Sequence, residues 1–357
     1  MPQQAHGGNL AWAAALAGCS PDAIVDFSAS ISPLGPPDSV IAAIVSQLDN
    51  LRNYPDPEYS ELRLALSQFH QLPPEWILPG NGSAELLTLV GRDLAKLAGT
   101  ILLTPAFGDY YRTLASYGAK VLEFPVNLSP EIDENSSLFP QFRLESSVSG
   151  LLLNNPHNPT GRLFSRESVL PYLDKFALVV VDEAFMDFLP PQQEQSLIEL
   201  VQEYENLVIL RSLTKFYSLP GLRLGYAIAH PHRLATWKSW RDPWPVNTLA
   251  AAAAIAALQD TEFQTLTWKW LPQARNQLFQ GLTSIPSLRP LQGAVNYVLV
   301  ESTSSTSELQ KTLLQQDQIL IRDCLSFKEL GDRFFRVAVR TESDNQRLLN
   351  ALKTIKN

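Results

Sequence analysis

Residues 210–226 read LRSLTKFYSLPGLRLGY. The apolar run LVIL that leads into them ends in Arg211. Ser212, Leu213 and Thr214 then lead to a lone Lys215, a Pro220-Gly221 turn, Arg223 and a second β-rich run, LRLGYAIA. An uninterrupted apolar run reads as a strand covered on both faces, which is the habit of parallel sheets. Similar runs precede it as WIL, TILLT, KVLEF, GLLLN and ALVVVDEAF. Helical periodicity lies between them at about 38–49, 58–70, 83–97, 107–117, 165–175 and 196–205. The alternation predicts an α/β domain with a mostly parallel sheet sandwiched by helices.

The pattern changes after about residue 240. Two helical segments follow, LAAAAAIAALQ and FQTLTWKWLPQARNQLFQGL, the second expected to break at Pro272. NYVLV, a helix near 307–316, ILIRDC, FFRVAVR and a closing helix from about 343 complete the chain, with SSTS at 304–307 as a loop or helix start. The expected organisation is an arm over 1–37 that joins the small domain and active site, a large cofactor-binding domain over 38–240, and a small α+β domain over 241–357.

Composition limits the function. The 357 residues carry 28 Lys plus Arg against 36 Asp plus Glu, a formal charge of −8, so a broad nucleic-acid footprint is not expected. The two cysteines, Cys19 and Cys324, show no metal-ligand spacing and are too few for a disulfide framework, which favours a reducing cytoplasm. The N-terminus lacks a basic region followed by an apolar core. The apolar run near 249–258 is too short to span a bilayer, so no membrane association is expected.

In parallel sheets, ligands gather at the carboxyl ends of the strands. After WIL comes PGNGSAELL. There the N–H groups of Ser83 and Ala84 could hold a phosphate, although on its own this is as well read as a turn capped by Ser83. After GLLLN comes NPHNPTG, with Asn158 fixed between prolines as a donor or simply as part of a rigid turn. Asp182 ends the LVVV run, where a buried carboxylate needs a partner, either a ligand or a neighbouring cation. Lys215 belongs to the same set. A single lysine is commonly a solvated charge; here an amine, a carboxylate, an asparagine and a phosphate turn all fall at strand ends.

Pyridoxal 5′-phosphate needs that combination. Its aldehyde takes an amine (Lys215), its ring nitrogen an anion (Asp182) and its 3-oxygen a donor (Asn158). Its phosphate takes N–H, hydroxyl and guanidinium groups (Ser83, Ala84, Ser212, Thr214, Arg223).

The motifs GNGS, NPTG, VDEAF, SLTK and GLRLGY, in this order, resemble the fold-type I pyridoxal-phosphate enzymes of the aminotransferase superfamily. Within it the chain is similar to the histidinol-phosphate aminotransferases. HGGN (6–9), DFSASISPLG (26–35), YPDPEY (54–59), PWPVNTLA (243–250), ILIRDC and FFRVAVR resemble more closely the L-threonine-O-3-phosphate decarboxylases of cobalamin biosynthesis. The resemblance implies pyridoxal phosphate on Lys215, Phe107 stacked on its ring and no metal. It also implies Tyr54 reaching the cofactor phosphate of a second subunit, hence a homodimer with shared sites. His6, Gly8, Arg322 and Arg336 would bind a small phosphorylated amino acid.

Many aminotransferases carry a tyrosine three residues after the aspartate; here the residue is Phe185, which cannot donate to the 3-oxygen. Reaction type depends on which bond to the substrate α-carbon stands perpendicular to the cofactor plane. Relatives place at Arg336 an arginine that clamps a carboxylate in that plane. If Arg336, Arg322 and His6 grip a phosphate instead, the carboxylate is free to leave.

Three classes follow. The first is a lyase acting on L-threonine O-3-phosphate. The second is a transaminase acting on histidinol phosphate with 2-oxoglutarate. The third is a non-catalytic cofactor-binding or regulatory protein, which would lack Lys215 or add a DNA-binding domain.

Overall fold

A computed structural model describes residues 6–128, 139–141 and 149–355. Strands are numbered in chain order. β1 (Val25–Asp26) lies in the N-terminal arm. β2 (Ile77–Asn81), β3 (Thr100–Thr104), β4 (Val121–Pro125), β5 (Gly150–Asn154), β6 (Leu178–Asp182), β7 (Leu207–Ser212) and β8 (Leu224–Ala229) form one sheet in the order β2-β8-β7-β6-β5-β3-β4. In this sheet β8 runs antiparallel to both neighbours, and the remaining pairs are parallel.

Apolar runs without alternation suit this sheet because both faces are covered. Ile101, Leu103, Leu151, Leu153, Val179 and Val181 enter the core on one face, and Leu102, Leu152, Leu178 and Val180 enter a second core on the other. β3 leads through the helix Gly108–Ser116 to β4 on one side, while β5 lies on its other side. That reversal opens a crevice beyond the strand ends. Phe107, Asn158, Asp182 and Lys215 all follow or end strands at this edge.

Three expectations about helices need correction. Residues 196–205 hold only the 3-10 turn Ile198–Leu200, because the Leu197 N–H and Ser196 hydroxyl are committed to the Glu183 carboxylate (3.0 and 2.7 Å) rather than to a helical ladder. The second late helix does not break at Pro272 but runs as Thr261–Thr283. Its buried stripe, Phe263, Thr267, Leu271, Ala274, Leu278 and Leu282, offsets the missing hydrogen bond through packing. Finally, the helix Thr248–Gln259, expected in the small domain, packs on the helices Asp38–Ser46 and Ser60–His70 of the large one. An alanine-rich helix has almost no polar face to choose its partner, so the boundary near 240 could not be read from its composition.

The smaller unit is a four-stranded antiparallel sheet in the order β12-β13-β10-β9, built from β9 (Leu288–Pro290), β10 (Tyr297–Ser302), β12 (Arg322–Asp323) and β13 (Phe334–Ala338). The helix Thr306–Asp317 starts at Ser305, whose Oγ accepts the Glu308 N–H, within the SSTS stretch. β1 pairs in parallel with β11 (Ile319–Leu320), and the helix Leu10–Ala17 packs on Thr306–Asp317, so the arm joins this unit. Among the described residues, no helix is long and apolar enough to cross a membrane.

Candidate active site

The strand ends and the arm enclose a cavity of about 410 Å³, within the usual range for small-ligand sites. Lys215 stands at its floor on the short helix Leu213–Phe216, which follows β7 directly. Ser212 caps this helix, its Oγ accepting the Thr214 N–H (3.4 Å) and lying 2.8 Å from Thr214 Oγ1. The Lys215 carbonyl accepts the Ser32 N–H (3.0 Å), which docks the arm on the turn. Desolvation, reinforced by the positive charges of Arg336 and Arg223, lowers the Lys215 amine to about 8, against the opposing pull of Asp182.

Asp182 is buried at the end of β6. Its Oδ2 accepts from the Tyr110 hydroxyl (2.7 Å) and its Oδ1 from the Ala184 N–H (3.1 Å). Burial raises its carboxyl to about 6, although both hydrogen bonds and Lys215 favour the anion. Asn154 braces this corner. Its Nδ2 donates to the Asp182 carbonyl and its Oδ1 accepts the Asn158 N–H, both at 2.6 Å. Phe107 and Phe185 also line the cavity, and Phe185 packs edge-on against Tyr297 at 5.0 Å, a hydrophobic contact where a tyrosine would present a hydroxyl.

Gly82, Ser83, Ala84 and Arg223 line the cavity where the helix Gly82–Leu94 begins. The first N–H groups of a helix have no internal partner and suit an anion. Gly225 lets the backbones meet here: a Cβ on it would lie 2.7 Å from both the Ser83 nitrogen and the Arg211 carbonyl oxygen. Gly82 has φ +73°, and a Cβ on it would lie 2.7 Å from Arg223 Nη2. Gly82→Ala is therefore expected to cost roughly 1–2 kcal/mol in stability and to displace the Arg223 guanidinium. A melting curve and a cofactor titration check this together, and an unchanged cofactor affinity would contradict it.

The third wall comes from the arm and the small sheet. His6, Ser28, Ser30, Arg322 and Arg336 line it. Gly8 does not: its N–H donates to Ser28 Oγ (2.8 Å), and Gly7 faces the cavity in its place. The His6 ring lies 5.5 Å from that of Phe107, and burial, with Arg322 next, lowers its pKa. Arg322 and Arg336 are buried and occupy directly opposed positions on β12 and β13. Arg336 donates through Nη1 to Asn158 Oδ1 and through Nη2 to the Ser28 carbonyl (3.3 Å).

Tyr54 stands outside the cavity of its own chain, 80% exposed and stacked on Trp244 at 4.6 Å. Sequence reasoning missed Tyr110, Asn154, Ser28, Ser30 and Ser326. Tyr110 had a legible signal, one helical turn after Phe107, and Asn154 ends a buried strand. The serines have none, because nothing in a sequence tells which hydroxyls face a cavity.

The profile of "Aminotransferase class I and II" matches residues 22–352. The chain belongs to this family. It is 38% identical to the threonine-phosphate decarboxylase of Salmonella typhimurium, over 98% of this chain and 96% of that protein. It is 32% identical to histidinol-phosphate aminotransferase 2 of Ralstonia nicotianae, over 93% and 88%. The crystal structure of L-threonine-O-3-phosphate decarboxylase from Porphyromonas gingivalis superposes with a TM-score of 0.82 at 25% identity, covering 93% of this chain and 99% of that one.

The site residues fit pyridoxal 5′-phosphate, the cofactor of this family. An amine of lowered pKa, a buried carboxylate and a helix start with an arginine all line the one cavity. Two further polar atoms at the cavity, Ser30 Oγ and Arg336 Nε, are buried without a protein partner among the described residues.

Proposed function

We propose that this protein decarboxylates L-threonine O-3-phosphate to (R)-1-aminopropan-2-ol O-phosphate and CO2, the step that the sequence resemblance links to cobalamin biosynthesis, in the reducing cytoplasm that the cysteine usage favours. Lys215 would take the cofactor aldehyde, Asp182 would hold the ring nitrogen and Asn158 the 3-oxygen, while Phe107 would cover the ring and Ser83, Ala84, Ser212, Thr214 and Arg223 would hold the cofactor phosphate. When bound, pyridoxal phosphate supplies an electron sink for the carbanion left at the substrate α-carbon. Lys215 Nζ, the one lysine among the described residues that lines the cavity, is suited to carry the proton that replaces CO2.

One observation carries the substrate assignment. Arg322 and Arg336 are cross-strand partners, both buried, and burial together with the charge of Arg336 lowers the pKa of Arg322. Like charges directly opposite one another destabilise a sheet, so the pairing is better suited to a dianion than to an empty wall. With His6 they form a grip for the substrate phosphate, which leaves the carboxylate free of in-plane clamping.

A histidinol phosphate would meet the same arginines, and this supports the second reading, a transaminase. Phe185 at the cavity and the higher identity to a decarboxylase favour the first. The deciding assay follows CO2 and amine from L-threonine O-3-phosphate, with a parallel tube of histidinol phosphate and 2-oxoglutarate followed for glutamate. CO2 without glutamate is expected; glutamate without CO2 would overturn the reading. Arg336→Ala is expected to lower kcat/KM for the phosphorylated substrate about 100-fold or more, since it removes a charge-assisted contact to the phosphate. An unchanged kcat/KM would contradict the grip.

The homodimer belongs to the same proposal. Ile41, Val45, Leu48, Leu51 and Tyr54 are exposed apolar side chains within one short stretch, next to Trp244. Such a patch suits a second copy, across which Tyr54 would reach the partner's cofactor phosphate.

A further inference from the structure

β12 leads directly into the turn Cys324–Leu330, which closes one side of the cavity. The turn is held firmly. Cys324, Phe327 and Leu330 are buried in a small core with Leu291 and Leu299, the Phe327 N–H donates to the Cys324 carbonyl (2.9 Å), and Lys328 pairs with Glu123 of β4 (3.1 Å). Ser326 thus lies between the buried Cys324 and Phe327, and it lines the cavity beside Arg322. Its Oγ accepts from Arg322 Nη2 at 2.5 Å.

That contact has two consequences. A guanidinium has donors only, so the Ser326 oxygen must be the acceptor and its O–H hydrogen is directed elsewhere. Polarisation by the cation also makes that hydrogen a stronger donor. The other hydroxyl at this wall with a defined partner is differently placed: Ser28 Oγ donates to Asp26 Oδ1 (2.6 Å) while accepting the Gly8 N–H, so its hydrogen is consumed. Ser326 combines a fixed backbone, a cavity-facing hydroxyl and an arginine on its acceptor side.

We propose that Ser326 is a ligand of the substrate's phosphate, donating its hydroxyl to a terminal phosphate oxygen while aiming Arg322 at the same group. The residue then sets the preference of the site for a phosphate ester over the free hydroxy amino acid. This rests on the phosphate grip proposed above. A phosphate monoester offers three terminal oxygens; Arg336 already spends donors on Asn158 Oδ1 and the Ser28 carbonyl, and Arg322 spends one on Ser326, so a hydroxyl beside Arg322 supplies a further donor.

The test uses pyridoxal-phosphate-loaded protein and inorganic phosphate as the probe, with the dissociation constant measured by calorimetry for wild type, Ser326→Ala and Ser326→Thr. Ser326→Ala is expected to bind phosphate about tenfold more weakly, the size of one hydrogen bond to a charged group, and Ser326→Thr to recover most of the loss. With L-threonine O-3-phosphate, KM should rise more than kcat falls, and the affinity for L-threonine should change less than that for phosphate. Wild-type binding with an equal affinity in Ser326→Ala would overturn the assignment of Ser326 alone, as would an equal loss for phosphate and L-threonine. Wild-type protein that binds no phosphate would overturn the assignment and the grip together.

Discussion

Lys215→Ala will abolish CO2 release, by at least about 10⁴-fold, because no other lysine among the described residues lines the cavity to take the cofactor aldehyde or return a proton. Lys215→Arg should be nearly as inactive: it keeps the charge at a group that cannot lose its proton. The physical basis can be measured without turnover. In the cofactor-free protein, modification of Lys215 by an amine-directed reagent, located by mass spectrometry, should have its midpoint near pH 8 and not near 10.5. At pH 7.4 roughly a fifth of the amine would then be neutral, against about a thousandth for an ordinary lysine. A midpoint above 10 would remove the argument that burial, Arg336 and Arg223 prepare this amine.

Asp182→Asn should lower kcat about 10³-fold. An asparagine can still accept from Tyr110, but it offers no charge to a protonated ring nitrogen, and charge held in place beside the reacting group is a major source of rate enhancement. A kcat within tenfold of wild type would exclude the assigned role. The pH dependence has a defined sign. Burial raises the Asp182 carboxyl from 3.8 to about 6 in the folded protein, so the folded state holds the proton more tightly than the unfolded one. Its contribution to stability is full below about pH 4 and is lost as pH rises through about 6. A cationic ring nitrogen held beside Asp182 would restore what the ionised carboxylate loses. Pyridoxal phosphate should therefore raise the melting temperature more at about pH 7.5 than at about pH 5, and the part of this difference that falls between pH 5 and 7 should flatten in Asp182→Asn.

Much of this site is legible in the sequence because one physical rule connects it. Strands buried on both faces reveal themselves as unbroken apolar runs, and in a parallel sheet their carboxyl ends share one edge. Lys215, Asp182, Asn158 and the turn at Ser83 can therefore be assembled from the residues alone, and the cavity contains all four. Helix starts at Ser165, Asn247, Ser305 and Thr341 are local in the same sense, since each side chain accepts the N–H three residues on.

The tertiary structure decided what depends on distant partners. Residues 196–205 have some helical periodicity, but Glu183, itself paired with the buried Arg211, captures the Ser196 hydroxyl and the Leu197 N–H at the start of the segment. The helix Thr248–Gln259 packs on the helices Asp38–Ser46 and Ser60–His70, a partnership its alanines could not announce because they carry no directional information. Gly8, expected at the substrate, spends its N–H on Ser28, a residue 20 positions away. The opposition of Arg322 and Arg336 is a matter of strand register, and which of the serines turns a hydroxyl into the cavity follows from packing around Phe327 and the docking of the arm. The sequence by itself determined the cofactor chemistry, because strand ends and short motifs are set by local rules. Only the tertiary structure decided how the arm and the small sheet wall the cavity with positive charge, because that depends on the pairing of segments some 300 residues apart, such as β1 with β11.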